Sequence, residues 1–144
     1  MLYTYKYPRP ALTVDCIVFL KIPGNEYKVL LIQRNQAPYE GKWAFPGGFV
    51  DINETLETAA NRELEEETGL KNIKLKQLYT FDAINRDPRH RTISVVYWGK
   101  LDHEEKIYSG SDARKVKWFS INEIPELAFD HNHILDYAFK VLQL

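Results

Sequence analysis

The sequence predicts one α/β domain in which a β-sheet carries helices on both faces. Three observations support this fold class: a length of 144 residues, a hydrophobic content of 44% and strand-like segments that alternate with two helical ones. The sequence has no internal repeat, low-complexity tract or flexible linker. We therefore expect residues 1–144 to form a single domain.

The chain begins with a predicted β-hairpin. Residues 11–20 are rich in Val, Ile and Phe, which is typical of a buried strand. Gly24 and Asn25 favour a turn, so residues 27–33 are predicted to be the partner strand. Prolines and glycines interrupt the pattern over residues 34–48, where we expect a long loop.

Residues 55–68 carry the signals of a helix. Thr55 is a favoured N-cap residue, and Gly69 suits the left-handed conformation that ends many helices. One stripe of this helix is apolar, and we expect it to dock the helix on the sheet. The stripe consists of Leu56, Ala59, Ala60 and Leu64.

The second half of the chain contains further strands and a second helix. The predicted strands are residues 72–81, 92–101 and 115–119. Residues 82–91 are predicted to form a charged loop. Ser120 and Glu123 have the spacing of a capping box, which predicts a short helical turn. The apolar periodicity of residues 131–142 predicts a C-terminal helix.

The charge balance argues against partners that bind through bulk electrostatics. Nineteen basic residues face 20 acidic ones for a net charge of -1, which favours neither nucleic acid nor an anionic membrane surface. No segment approaches the roughly 18 apolar residues of a membrane helix. The single cysteine, Cys16, lies in an apolar stretch, so we expect a buried core residue and a reducing, cytoplasmic setting.

Three carboxylates on the first helix are the strongest functional signal. Glu63, Glu66 and Glu67 are three and four residues apart, so they share one stripe, where they repel one another. A hard divalent cation such as Mg²⁺ would relieve that repulsion, since it prefers oxygen ligands. Arg62, four residues before Glu66, can hold one carboxylate in place. The alternative is a solvated acidic helix face with incidental ion pairs.

A longer spacing pattern surrounds these carboxylates. Gly48, Glu54, Arg62-Glu63-Leu64, Glu66-Glu67 and Gly69-Leu70 follow one another with gaps of five, seven, one and one residues. This pattern resembles the signature of the Nudix hydrolase family, the Nudix box, at every position. The resemblance implies an α-β-α sandwich with a mixed sheet, and hydrolysis of a nucleoside diphosphate linked to another group.

The resemblance also implies roles for individual residues. Glu63, Glu66 and Glu67 would bind Mg²⁺ or Mn²⁺, with one of them acting as a base toward water, and the base stays unassigned among them. Arg62 would orient a glutamate, and Gly48 would let the loop turn close to the metal. Two further assignments are Glu54 as a water-mediated ligand or loop brace, and an additional catalytic carboxylate at Glu104, Glu105 or Asp112.

Two other segments bear on the substrate. Arg86 and Arg89 lie in a basic loop that resembles the ADP-ribose-hydrolysing branch of the family, and arginine forks suit phosphate. A solvated charged loop is the alternative. The aromatic candidates for stacking on a nucleobase are Trp43, Phe45, Tyr39 and Phe81, with ordinary core packing as their alternative.

The leading functional hypothesis is hydrolysis of ADP-ribose to AMP and ribose 5-phosphate. The alternatives are a pyrophosphatase that removes damaged nucleoside triphosphates, a non-catalytic nucleotide sensor on the same fold, and a Ca²⁺-stabilised interaction domain. The alternating Tyr3, Tyr5 and Tyr7 are candidates for an edge strand or a homodimer contact.

Overall fold

The computed structural model describes residues 2–110 and 113–144, and within them a mixed β-sheet lies between two helices. The elements are β1 (Ala11–Ile22), β2 (Glu26–Arg34), β3 (Trp43–Ala44), β4 (Gly47–Phe49), α1 (Leu56–Thr68), β5 (Lys76–Phe81), β6 (Thr92–Leu101), β7 (Ala113–Ser120) and α2 (His131–Leu142). Among the described residues, no helix is both long and apolar enough to cross a membrane.

β1 is the central strand of the sheet. The order of pairing is β3-β2-β1-β6-β5, with β4 added to β1 and β7 added to β2. β1 pairs in parallel with β6, and the other pairings are antiparallel, so the sheet is mixed. Gly24 (φ 89°) and Asn25 (φ 59°) make the turn between β1 and β2 in the left-handed region, which confirms the predicted hairpin.

The two faces of the sheet bury two separate sets of side chains. Successive side chains of a strand point to opposite faces. Val14, Cys16, Val18 and Leu20 therefore pack with α1, whereas Ile17 and Phe19 pack with α2. The predicted α-β-α arrangement is confirmed.

Local chemistry explains both ends of α1. The Thr55 hydroxyl accepts a hydrogen bond from the Thr58 N–H (3.1 Å), and Gly69 ends the helix at φ 81°. Cys16 is fully buried and its thiol donates to the Ala60 carbonyl (3.5 Å), so the expected core position is confirmed. Burial, followed by the charge of Asp15, raises the pKa of that thiol.

Several expected boundaries differ in the structure. The predicted loop at 34–48 contains β3 and part of β4, which are too short to show periodicity and form through pairing with β2 and β1. β5 begins at Lys76 rather than at residue 72. The expected helical turn after Ser120 is a non-helical turn, closed by the Glu123 N–H donating to the Ser120 carbonyl (2.9 Å).

The N-terminal tyrosines do not form a strand. Tyr3, Tyr5 and Tyr7 are exposed and lie outside the sheet, so the edge-strand prediction is wrong. Tyr3 stacks on Tyr5 with 6.5 Å between ring centroids, and the Arg9 guanidinium lies 3.9 Å from the Tyr5 centroid. The segment therefore makes ring-stacking and cation–π contacts within itself instead of pairing with a strand. The homodimer contact stays a prediction.

Candidate active site

A cleft of about 420 Å³ opens beside β1 and carries charges of both signs. Five acidic residues line it: Asp15, Asp51, Glu63, Glu67 and Asp87. Three arginines line it as well: Arg34, Arg86 and Arg89. Its aromatic lining consists of Phe45, Phe49, Phe129 and His131.

Two glycines of β4 bring the α1 carboxylates against the sheet. Gly47 donates its backbone N–H to Glu67 Oε1 (2.7 Å). A Cβ on Gly48 would lie 2.6 Å from both the carboxyl carbon and Oε1 of Glu63. A side chain at residue 48 would therefore displace the Glu63 carboxylate, whereas glycine lets β4 lie against it.

Arg62 gathers the carboxylates at the rim of the cleft. Its Nε and Nη2 donate to Glu54 (2.9 and 2.6 Å), and its Nη1 donates to Glu63 (2.9 Å) and Glu66 (3.3 Å). These hydrogen bonds hold the pKa of Glu54 down at about 2 and raise that of Arg62. Arg62 thus holds Glu66 as predicted, and Glu54 and Glu63 in addition.

The three glutamates of the predicted stripe differ in their positions relative to the cleft. Glu63 and Glu67, four residues apart, both line the cleft, and Glu67 is 7% exposed. The Glu66 side chain is 56% exposed and is not among the residues that line the cleft. It is connected to the site through Arg62, which also binds Glu63. Of the three glutamates expected on one stripe, Glu63 and Glu67 therefore reach the cleft directly, and Glu66 reaches it only through Arg62.

The donor set suits a hard divalent cation. Glu63 and Glu67 offer carboxylate oxygens, the ligands that Mg²⁺ and Mn²⁺ accept. Within residues 2–110 and 113–144, no three His, Cys, Asp or Glu side chains are grouped so that they could hold an ion by themselves. Mg²⁺ is usually bound by one or two carboxylates together with water and substrate phosphates, which is the arrangement that these two glutamates fit.

The arginines of the 82–91 loop are anchored, so the loop is not simply solvated. Arg86 is buried and donates two hydrogen bonds to Asp130 (3.0 and 2.7 Å). Arg89 donates its Nε–H and Nη2–H to Asp87 (3.1 and 2.8 Å). Burial raises the pKa of Asp87, but the hydrogen bonds from Arg89 outweigh it and lower that pKa. Both arginines line the cleft, as a phosphate-binding role requires.

Of the four aromatic residues predicted to stack on a nucleobase, the structure places only Phe45 in the lining of the cleft. Phe45 lines the cleft and stacks on His131, with 4.9 Å between ring centroids. Trp43 instead packs edge-on against Phe119 at 4.8 Å and is not among the lining residues, so its predicted contact with the substrate is not supported. Tyr39 packs on Phe129 outside the lining, and Phe81 belongs to the core under α2.

Two buried polar contacts at the cleft, made by Asp15 and His131, were not predicted from the sequence. The Ser94 hydroxyl donates to Asp15 Oδ2, and the Phe45 N–H donates to His131 Nδ1 (3.1 Å). Because Nδ1 accepts this hydrogen bond, the ring proton is on Nε2, which lies 3.8 Å from Asp15 Oδ1, and burial lowers the pKa of His131. The available signal was an acidic residue in the middle of a buried strand.

The candidates for an additional carboxylate lie elsewhere. Glu104 is exposed, and Glu105 lies 4.0 Å from the His103 imidazole. Neither residue lines the cleft, so the structure does not support them as catalytic groups. Asp112 lies outside the described residues.

Comparison with known proteins adds an independent result. Residues 10–138 match the sequence model of the family described as the NUDIX domain. An ADP-ribose pyrophosphatase of Methanocaldococcus jannaschii is 40% identical over 132 residues, which cover 91% of this chain and 75% of that protein. The ADPR responsive transcriptional repressor NtrR of Acinetobacter baylyi is 33% identical over 92% of this chain, which spans 54% of the repressor.

Comparison with solved structures also identifies a Nudix domain. The NUDIX domain of Shewanella oneidensis NrtR, crystallised in complex with ADP ribose, superposes with a TM-score of 0.88 at 32% identity. The match covers 97% of this chain and 94% of that domain. The likeness therefore extends over the whole sheet and both helices.

Proposed function

This chain belongs to the Nudix family, and on that premise we propose that it hydrolyses the diphosphate bond of ADP-ribose to AMP and ribose 5-phosphate. One observation carries the proposal: a single cleft holds Glu63 and Glu67 together with three arginines. A diphosphate needs cationic groups for its oxygens and a divalent ion at the bond that breaks. The cleft provides the protein groups for both.

The residues of the cleft take the following parts in the proposed reaction. Glu63 and Glu67 would hold Mg²⁺ or Mn²⁺, which when bound neutralises phosphate charge and acidifies a coordinated water. Arg62 fixes the Glu63 and Glu66 carboxylates, so that Glu66 supports the site or accepts the proton of water. Gly48 leaves the Glu63 carboxylate the room it needs.

The opposite side of the cleft would hold the ligand. Arg86 and Arg89 are oriented by Asp130 and Asp87, which lowers the entropy lost when a guanidinium binds a phosphate. Phe45 provides an apolar surface within the same cleft. The buried thiol of Cys16 is compatible with a reducing cytoplasm, where we place the protein.

The test is a substrate panel with and without Mg²⁺, in which release of the nucleoside monophosphate is measured for ADP-ribose, other diphosphate-linked nucleosides and nucleoside triphosphates. Glu63→Gln, Glu66→Gln and Glu67→Gln are expected to lower kcat by about 100-fold or more, because each weakens metal binding or proton transfer. Glu65→Gln is the matched control, since Glu65 is exposed on the same helix and does not line the cleft. Wild-type rates in the three variants would refute the assignment.

A sensor is the second candidate function. The resemblance to an ADPR responsive repressor favours it, whereas the complete Nudix box favours hydrolysis. The same panel separates the two functions. A sensor binds ADP-ribose with a measurable Kd and releases no AMP with Mg²⁺ or Mn²⁺ present. A pyrophosphatase for damaged nucleotides would prefer a triphosphate over ADP-ribose in the same assay.

A further inference from the structure

The C-terminal turn of α1 is bound by a segment that is distant in the chain. Residues 107–110 lie in the connection between β6 and β7. The Tyr108 N–H donates to the Thr68 carbonyl (3.0 Å), and the Gly110 N–H donates to the Glu67 carbonyl (3.3 Å). The carbonyls of a last helical turn have no partner within the helix, so these bonds supply partners from outside it. The 107–110 segment thus fixes the turn that carries Glu67.

Close contacts beside these hydrogen bonds leave no room for added side chains between the segment and the helix. A Cβ on Gly110 would overlap the Glu66 carbonyl oxygen. A Cβ on Gly69 would lie 2.7 Å from the Tyr108 ring, so α1 must end in glycine for this reason as well as for the φ of 81°. Ile107 is partly buried against the core on the same side of the sheet. Backbone contact and side-chain packing therefore hold the segment and the helix end in one arrangement.

The turn held in this way carries one of the two carboxylates of the cleft. Glu67 is buried, and its Oε1 accepts the Gly47 N–H (2.7 Å), so the side chain connects α1 to β4. The same residue accepts the Gly110 N–H at its backbone carbonyl. Because Gly110 fixes the backbone from which this side chain starts, a displacement of the 107–110 segment would move the carboxylate away from Gly47.

We propose that Gly110 and Tyr108 are positioning residues for the metal site, because they set the place of the turn from which Glu67 reaches the cleft. The inference deepens the proposed function and rests on it for the divalent ion at Glu67. The position of Glu67 itself depends on the two residues in the metal-free protein as well. The two parts of the proposal can therefore be tested separately.

The first experiment follows the Gly47 amide of the metal-free protein by ¹H–¹⁵N NMR, since that N–H donates to the Glu67 carboxylate. In Gly110→Ala, the added methyl group must push residues 107–110 and the end of α1 apart. We expect the Gly47 amide proton to shift upfield, because its hydrogen bond to the carboxylate lengthens. Gly24→Ala is the matched control: its φ of 89° strains alanine, but its Cβ meets no atom within 4 Å, so stability is lost without a contact with α1.

The second experiment measures the binding of Mn²⁺ in the presence of AMP, and the rate of ADP-ribose hydrolysis. Gly110→Ala is expected to raise the Kd for Mn²⁺ by about 10-fold and to lower kcat by about 10- to 100-fold, the range found when groups that orient metal ligands are changed. Gly24→Ala should keep the wild-type Kd and kcat, since the β1–β2 turn does not line the cleft.

Tyr108 is tested with the same measurements. Tyr108→Ala is expected to change the Gly47 amide and the Kd for Mn²⁺ in the same direction but less, since the backbone hydrogen bond to Thr68 stays. Tyr108→Phe keeps the ring over Gly69 and should restore the wild-type values. Thermal melting verifies that each variant is folded, and the two Tyr108 variants decide the question if Gly110→Ala is not.

The positioning role is overturned if folded Gly110→Ala keeps the Gly47 amide signal of wild type or binds Mn²⁺ as tightly as wild type does. It is also overturned if Gly24→Ala changes both as much as Gly110→Ala. Wild-type values in Tyr108→Ala would remove Tyr108 from the proposal. If wild type neither binds Mn²⁺ nor hydrolyses ADP-ribose, the proposed function is refuted, and a displaced Gly47 amide in Gly110→Ala still supports Gly110 as the residue that positions Glu67.

Discussion

Gly48→Ala should lower kcat strongly while the protein stays folded. The new Cβ would lie 2.6 Å from the carboxyl carbon and Oε1 of Glu63, where ordinary contact begins at 3.4 Å. The carboxylate must therefore retreat by about 0.8 Å, which the end of a flexible side chain can do at little cost in stability. A displacement of about 1 Å at a catalytic group lowers rates by roughly 100-fold. We expect kcat for ADP-ribose to fall by that factor.

Gly47→Ala provides the contrast. Its Cβ would collide with the backbone carbonyl of Val14, which cannot move without disturbing the pairing of β1 and β4. This variant should therefore lose thermal stability. Gly48→Ala should instead melt within about 3 °C of wild type, because a change of well under 1 kcal/mol in the free energy of unfolding shifts the melting temperature of a domain of this size by no more than that. The assay is AMP release together with thermal melting. Gly48→Ala with wild-type kcat, or with a melting temperature as low as that of Gly47→Ala, would refute the reasoning.

Three further predictions concern titratable groups. Arg62→Met should return the pKa of Glu54 from about 2 toward 4.5, which carboxyl ¹³C NMR measures. In wild type, the stabilisation of the fold by the ionised Glu54 is complete above about pH 4.5 and is lost as the pH falls through 2. Because burial lowers the pKa of His131, the free energy of unfolding of wild type should decrease below about pH 6.5, by up to ~1.4 kcal/mol per pH unit. In denaturant titrations, His131→Asn should reduce this dependence of stability on pH. The same pH dependence in both proteins would contradict the prediction. The Cys16 thiol should react with a thiol reagent only on unfolding, and rapid labelling of the native protein would contradict its burial.

Features encoded locally in the sequence were predictable. The caps of α1 at Thr55 and Gly69 depend on residues within one turn, and the docking stripe depends on helical periodicity. The site residues of the Nudix box are also local, since Gly48 and Glu67 lie within 20 positions of each other. These features therefore appear in the structure near where the sequence indicates.

Features that depend on distant contacts were not predictable. Asp130 is far from Arg86 in the chain, and no pattern in the sequence connects the two. Phe129 reaches the cleft through a strained backbone that only tertiary contacts maintain. Trp43 is a candidate for stacking on a nucleobase from the sequence, but pairing of β3 with β2 places it against Phe119.

The central claim is that Glu63 and Glu67 hold a divalent ion in the cleft that binds the diphosphate. Titration of Mn²⁺ in the presence of AMP tests it most directly, because the electron paramagnetic resonance signal of free Mn²⁺ disappears on binding. Wild type and Glu65→Gln should bind Mn²⁺ equally, and Glu63→Gln or Glu67→Gln should raise the Kd at least about tenfold. The account would be contradicted if wild type left Mn²⁺ free, or if both cleft variants bound it as tightly as Glu65→Gln.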